Sequence, residues 1–310
     1  MIKIKLECWW TNSGNLQRRF INQFVPKNDL ERFTFVNENP DYTIVFGRTD
    51  WEKITTPKER TFYFSQEPLW SPNELKTDIS DFCSKIFVAD KSMYPNKEEY
   101  VEGLFPMFYG GRGDEHNDVE YCWDLRLRDY ECEKTKNVSI IVRKDYNSHY
   151  NHLERPEIFK IIYKQRTDLG IELSKNTDID VYGTFWEKNN SNLLGEVWNK
   201  RVSLNNYRFS LACENTNQKN YISEKFWDVI LTNGVPIYLG CNNICEYVPN
   251  DSFIYLNGLD VDQMVEKIND ISKHGEEIYQ TYKDKIKHLK NEFFINPNFN
   301  LWVKIKSIIE

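Results

Sequence analysis

Short β-rich runs recur along this chain, and each stops on a polar or small residue. "IKIKLECWW" alternates with period two, and "DYTIVFG", "TFYFSQE" and "KIFVAD" follow it. "NLQRRFINQFV" carries Leu16, Phe20, Ile21 and Phe24 at helical spacing. Residues 1 to about 110 therefore read as strands alternating with helices, the pattern of an open α/β domain whose strand ends present loops to a cleft. Residues 111–136 are rich in glycine and charge and read as an interdomain connection, with a short helix in "VEYCWDLRL". A second series follows: strands in "NVSIIVR", "IDVYG", "YRFSLACEN", "VPIYLG" and "FIYLN", and helices in "RPEIFKIIYKQR", "SEKFWDVILTN" and "VDQMVEKINDIS". Pro156 stands near the first turn of the first of these helices, where a missing N–H costs little. The fold class is α/β. The expected divisions are an acceptor-side domain over 1–125, a nucleotide-sugar-binding domain over 126–290, and a terminal amphipathic helix over 291–310 packing back on the first domain.

A chain of 310 residues that is 40% hydrophobic and 15% aromatic can fill two cores. Its net charge of -7 argues against a general nucleic-acid binder, which needs a basic excess. "MIKIKLECWW" lacks the apolar core of a signal peptide, and no stretch approaches the roughly 20 apolar residues that cross a bilayer. Seven scattered cysteines form no framework, which fits reduced thiols in the cytoplasm. Cys241 and Cys245 are close in sequence, but no histidine cluster beside them suggests zinc. The basic segments "TYKDKIKHLK" and "VKIKSIIE" leave room for a peripheral membrane contact, although such helices usually pack on their own domain.

The polar half of "ENTNQKNYISEKFWDVILTNGVPIYLG" is the part that packing does not explain. The strand before it should stop near Cys213, placing Glu214 and Asn215 at its tip, and Ser223 is a good N-cap for the helix that follows. Free N–H groups and the positive dipole end of that helix make an anion site, to which Lys225 adds a charge. Glu224 can accept from sugar hydroxyls, and Tyr221 can stack on or hydrogen-bond a nucleotide. Together they suit a nucleoside diphosphate. A solvated, capped helix start is the plain alternative.

The segments "FSLACENT", "YISEK" and "GVPIYLG", in this order and spacing, resemble the donor-binding motif of glycosyltransferase family ten, the α-1,3/4-fucosyltransferases. "KIKLECWWTN", "KIFVADKSMY" and "FFINPNFNLWVKIKSII" resemble the opening, later N-terminal and closing segments of bacterial members. The resemblance implies a GT-B architecture, two Rossmann-like domains around a cleft, and a GDP-fucose donor with no metal or other cofactor. On it, Asn215, Tyr221, Ser223, Glu224 and Lys225 fall at the donor site, with Glu224 on ribose or sugar and Lys225 on the phosphates. Arg155, in "LERPEIF", falls where the family has a phosphate clamp, and Arg143 is its rival. Glu214 is a weaker candidate that can brace the loop. Glu67, in "TFYFSQEPLWSP", falls at the general base, although "QEPLW" departs from the usual small polar residue after the glutamate; Asp50 and Asp90 are its rivals at strand ends. Trp9, Trp10 and Trp70 can line an acceptor site or pack in the core.

The implied reaction is an inverting transfer of fucose to a hydroxyl of an N-acetylglucosamine-containing glycan, α-1,3 or α-1,4. A different nucleotide-sugar donor, or a non-catalytic glycan- or nucleotide-binding protein on the same fold, are the alternatives. Two D-x-D strings, Asp178–Asp180 and Asp260–Asp262, read as structural, the second as a helix cap.

Overall fold

The computed structural model describes residues 1–68, 77–104, 129, 131–142, 157–176, 178–184, 186–188, 192–197 and 200–310. Arg143, Arg155, Trp70 and the helix expected in "VEYCWDLRL" lie outside the described residues.

Two parallel sheets of six strands make up the fold. The first holds β1 (Ile2–Cys8), β2 (Phe33–Phe35), β3 (Tyr42–Phe46), β4 (Thr61–Phe64), β5 (Lys85–Val88) and β6 (Tyr100–Glu102), in the spatial order β2-β1-β3-β4-β5-β6. The helix α1 (Ser13–Phe24) buries Leu16, Phe20 and Phe24 against it. One sequence expectation needs correction. Helices do not alternate with strands throughout: β3 reaches β4 through the 3-10 turns Trp51–Lys53 and Lys58–Arg60, and residues 89–99 join β5 to β6 by turns. Asp50 caps one 3-10 turn and Pro57 stands before the other, so both segments open with chemistry suited to short turns.

The second sheet holds β7 (Lys136–Ile141), β8 (Ile179–Tyr182), β9 (Leu193–Gly195), β10 (Tyr207–Cys213), β11 (Val235–Leu239) and β12 (Ile254–Tyr255). Its order, β12-β11-β10-β7-β8-β9, is that of dinucleotide-binding domains, with the direction of winding reversing between β7 and β10. The helices are α2 (Glu157–Leu173), α3 (Lys200–Leu204), α4 (Glu224–Leu231), α5 (Val261–Lys273) and α6 (Gly275–Ile295). Residues 291–310 are not one helix: they hold the end of α6, a break at Asn296–Asn300, and α7 (Leu301–Ile309). Asn300 caps α7, accepting from the N–H groups of Trp302 and Val303. Trp302 is buried edge-on against Phe33 at 4.8 Å and donates its indole N–H to Asp29 at 2.6 Å, so α7 packs on the first sheet.

The two sheets meet at the C-terminal ends of their strands. Asn220, in the loop after β10, holds a left-handed φ of 59° and donates its side-chain amide to the carbonyl of Ala89, one residue past β5, at 2.9 Å. Its Oδ1 accepts from Asn243 at 2.8 Å and from the Tyr247 hydroxyl at 2.6 Å. Lys219 lies 3.6 Å from Glu102 at the end of β6. Loops following strands of both domains therefore border one cleft.

Candidate active site

The strand β10 ends at Cys213, as its pattern predicts, and Glu214 follows with no exposed surface. Its carboxylate accepts from the Ser223 N–H at 2.7 Å, the Ser223 hydroxyl at 2.5 Å and Lys225 Nζ at 3.4 Å. Glu214 is thus the brace that fixes the start of α4. Ser223 caps that helix, accepting from the Lys225 N–H. Gly240, after β11, makes the brace fit: a Cβ there would lie 2.4 Å from Glu214 Cγ and 2.8 Å from the Tyr238 hydroxyl.

A cavity of about 280 Å³ opens beside this helix start. Its walls come from the ends of β7 (Ile141, Val142), β8 (Gly183, Thr184) and β10 (Cys213), joined by Arg166, Lys200, Glu224 and Lys225. It therefore sits where the winding reverses, the place where such sheets bind nucleotides. Gly183 is required there, because a Cβ on it would lie 1.9 Å from the Val142 carbonyl oxygen at a φ of 136°.

Both lysines of the cavity are paired with carboxylates. Lys200 Nζ lies 2.5 Å from Asp228 and 3.3 Å from Glu224, and Lys225 Nζ is 3.6 Å from Glu224. Burial works to raise the Glu224 carboxyl, but Lys225 and Lys200 outweigh it and hold the group well below the usual carboxylate range. Burial likewise opposes the charge of Lys200 and Lys225. Asp228 and Glu224 more than offset it at Lys200, as Glu224 and Glu214 do at Lys225, so both ammonium groups are held above their usual range. Burial pushes the Cys213 thiol up to about 12, so this cavity wall offers no thiolate nucleophile near neutral pH.

The expected donor residues are distributed unevenly around the cavity. Glu224 and Lys225 line it. Asn215 stands beside it, its amide oxygen accepting from Arg166 Nη1 at 2.7 Å. Tyr221 is only 3% exposed, which does not match the open stacking face expected of it. Arg166 and Lys200 were not among the sequence candidates. Arg166 had a faint signal. It stands four residues before Gly170, whose missing Cβ would come 2.5 Å from Val142, so glycine marks the face of α2 that packs on β7. Lys200 had none, since its partners lie 24 and 28 residues further on.

Glu67 belongs to the other sheet, three residues beyond the end of the central strand β4, and is half-buried. The Ser65 hydroxyl donates to its carbonyl at 3.0 Å. Its rivals are engaged in turns: Asp50 accepts from the Glu52 N–H and pairs with Lys53 at 2.9 Å, and Asp90 accepts from the Ser92 N–H at 2.7 Å. One aspartate of each D-x-D string is held by a structural partner. Asp180 accepts from Lys136 at 2.6 Å and from the Tyr207 hydroxyl at 2.7 Å, and Asp260 forms a capping box with Gln263 on α5.

The sequence model of Glycosyltransferase family 10 (fucosyltransferase), C-terminal part, matches residues 141–301, more than half of the chain. The chain belongs to glycosyltransferase family 10. The match runs from the last residue of β7 to the first of α7 and includes every cavity residue named above. A fucosyltransferase-like protein of Arabidopsis thaliana is 32% identical over 123 residues, 39% of this chain and 23% of the plant protein. Alpha-(1,3)-fucosyltransferase B of Drosophila melanogaster is 30% identical over 128 residues, 38% of this chain and 29% of the fly protein. The matched stretch thus spans less than a third of either relative. The crystal structure of an alpha1,3-fucosyltransferase with GDP-fucose aligns over 100% of this chain and 90% of that one, with a TM-score of 0.52 and 16% identity. The architecture of this family 10 chain is GT-B.

The Gly240 contact yields a test of the brace in this family 10 fold. Gly240→Ala must displace Glu214, and with it Ser223 and Lys225. Overpacking of this kind costs about 1–3 kcal/mol. The expected result is a lower melting temperature by scanning calorimetry. An unchanged melting temperature would mean that the brace does not hold the helix start.

Proposed function

We propose that this chain transfers fucose, with inversion, from GDP-fucose to a hydroxyl of an N-acetylglucosamine-containing glycan. The reading rests chiefly on one observation: a cavity at the winding reversal of the second sheet, walled by the braced start of α4 with Glu224 and Lys225. The diphosphate lies at that helix start. Lys225, Arg166 and the free N–H groups of α4 stabilise the negative charge that grows on GDP as the bond to the sugar breaks. Glu224, kept ionised between two lysines, accepts from ribose or sugar hydroxyls, and Asn215 is held at the cavity by Arg166. Ser223 fixes the helix start, and the buried Tyr221 shapes the loop above it. Arg155, which precedes α2 in the sequence, is assigned to clamp the phosphates on the family resemblance alone. Across the cleft, Glu67 takes the proton of the acceptor hydroxyl as it attacks the anomeric carbon, and GDP leaves from the opposite face.

In this reading the cations of the chain take the role that a divalent ion has in other transferases. Initial rates of transfer to N-acetyllactosamine should be highest with GDP-fucose in a panel containing GDP-mannose and UDP-glucose, and should not change in excess EDTA. Equal rates across the panel would overturn the choice of donor. Loss of activity in EDTA, restored by a divalent ion, would overturn the role given to the lysines.

A further inference from the structure

The first sheet also reverses its winding, between β1 and β3, and the residues just past those strands present an aromatic surface. Trp9, one residue beyond β1, is 47% exposed although it is among the largest apolar side chains of the protein. It is nevertheless fixed in place. Trp10 packs edge-on against it with ring centres 6.2 Å apart, and its indole lies over Gly47, just past β3: a Cβ on Gly47 would lie 3.1 Å from Trp9 Nε1. Gly47 also holds a left-handed φ of 68° and donates its N–H to the Phe64 carbonyl at 3.1 Å. An exposed indole held by packing, on the edge of a sheet that faces a cleft, is suited to a ligand that offers an apolar face and a polar rim.

The register places this surface relative to Glu67. Cys8, Phe46 and Phe64 stand in one row across β1, β3 and β4. Trp9 therefore lies about two strand spacings, roughly 10 Å, along the sheet edge from the end of β4, from which Glu67 follows. A disaccharide can bridge that interval, with its reacting sugar at Glu67 and its next ring on the indole.

We infer that Trp9, seated on Gly47, is the platform for the second sugar of the acceptor, stacking on the C–H face of a pyranose adjacent to the residue that receives fucose. This rests on the proposed transfer for its placement, but the platform can be tested without it. Stacking on an indole favours a disaccharide over its reacting monosaccharide. Removing the indole removes that preference and leaves donor binding unchanged.

The probes are N-acetyllactosamine and free N-acetylglucosamine, each with saturating GDP. Saturation-transfer NMR should detect the disaccharide on the parent protein, and the signal should be lost in Trp9→Ala and retained in part in Trp9→Phe. In transfer assays, Trp9→Ala should raise KM for the disaccharide about 10-fold or more and leave KM for N-acetylglucosamine and for the donor within about 2-fold. Gly47→Ala, which crowds the indole and strains the left-handed turn beneath it without removing the ring, should raise KM for the disaccharide by less than Trp9→Ala does. Equal losses on both sugars, or a disaccharide signal that survives Trp9→Ala, would overturn the platform. So would a parent protein that binds neither sugar. If the disaccharide binds through Trp9 while no fucose is transferred, the platform stands and the donor assignment fails.

Discussion

Glu67→Gln should lower kcat by about 10²–10⁴-fold and leave GDP affinity unchanged. The amide keeps the size of the side chain and its place after β4 but cannot take a proton from an attacking hydroxyl. The proposed diphosphate site lies on the other sheet, around α4, so donor binding has no cause to change. Asp50 is committed to its 3-10 turn and to Lys53, and Asp90 to the N–H of Ser92, so neither is placed to substitute. Single-turnover rates with calorimetric GDP titrations separate the two effects. A rate within tenfold of the parent would move the base elsewhere. A parallel loss of GDP binding would mean that the substitution disturbs the cleft as a whole.

The second large effect belongs to Lys200. The Asp228 side chain is 2% exposed, and Lys200 is 2.5 Å away. Lys200→Met leaves a buried carboxylate without that cation, a change that costs about 3–5 kcal/mol. Glu224 keeps Lys225 but loses its other lysine, so its carboxyl should rise toward the ordinary range and the KM for donor should increase. The sign with pH follows. A carboxylate held low in the folded state stabilises above its unfolded pKa, and that contribution fades as the pH falls through the folded value. The gap between parent and Lys200→Met should therefore be full at neutral pH and narrow in acid, as Glu224 takes up its proton at a higher pH in the variant than in the parent. Adding Asp228→Leu should recover most of the stability, since a buried pair can be replaced by apolar groups of similar size at little cost. Denaturant unfolding of the single and double variants checks both statements. A single variant as stable as the parent would show that the pair contributes nothing.

How much of this was legible beforehand depended on how local the signal is. The end of β10 at Cys213 and the cap at Ser223 could be read because strand alternation and capping chemistry act within a few residues. The strands β2, β6 and β9 went unread, since three residues give no periodicity to detect. Glu214 looked like one more polar residue at a strand tip. Its role depends on Ser223, nine residues on, and on Gly240 in the neighbouring strand end, which only the sheet brings together. Lys200 was invisible for the same reason. Tyr221 was read as a ligand contact from its position in a motif, and burial of the loop, with Thr216, Asn220 and Ile222 each at 4% exposure or less, keeps its ring from solvent.

Asn220 sits three residues before the cap of α4, and its amide is fastened to the opposite domain at Ala89. One short loop therefore carries both the proposed diphosphate cradle and a rivet between the lobes. The cleft cannot gape at this point without either shearing that rivet or pulling on the cradle. The width of the cleft and the order of the proposed nucleotide pocket are thus mechanically geared through this loop, by Asn220 in its left-handed bend and by Lys219 beside it.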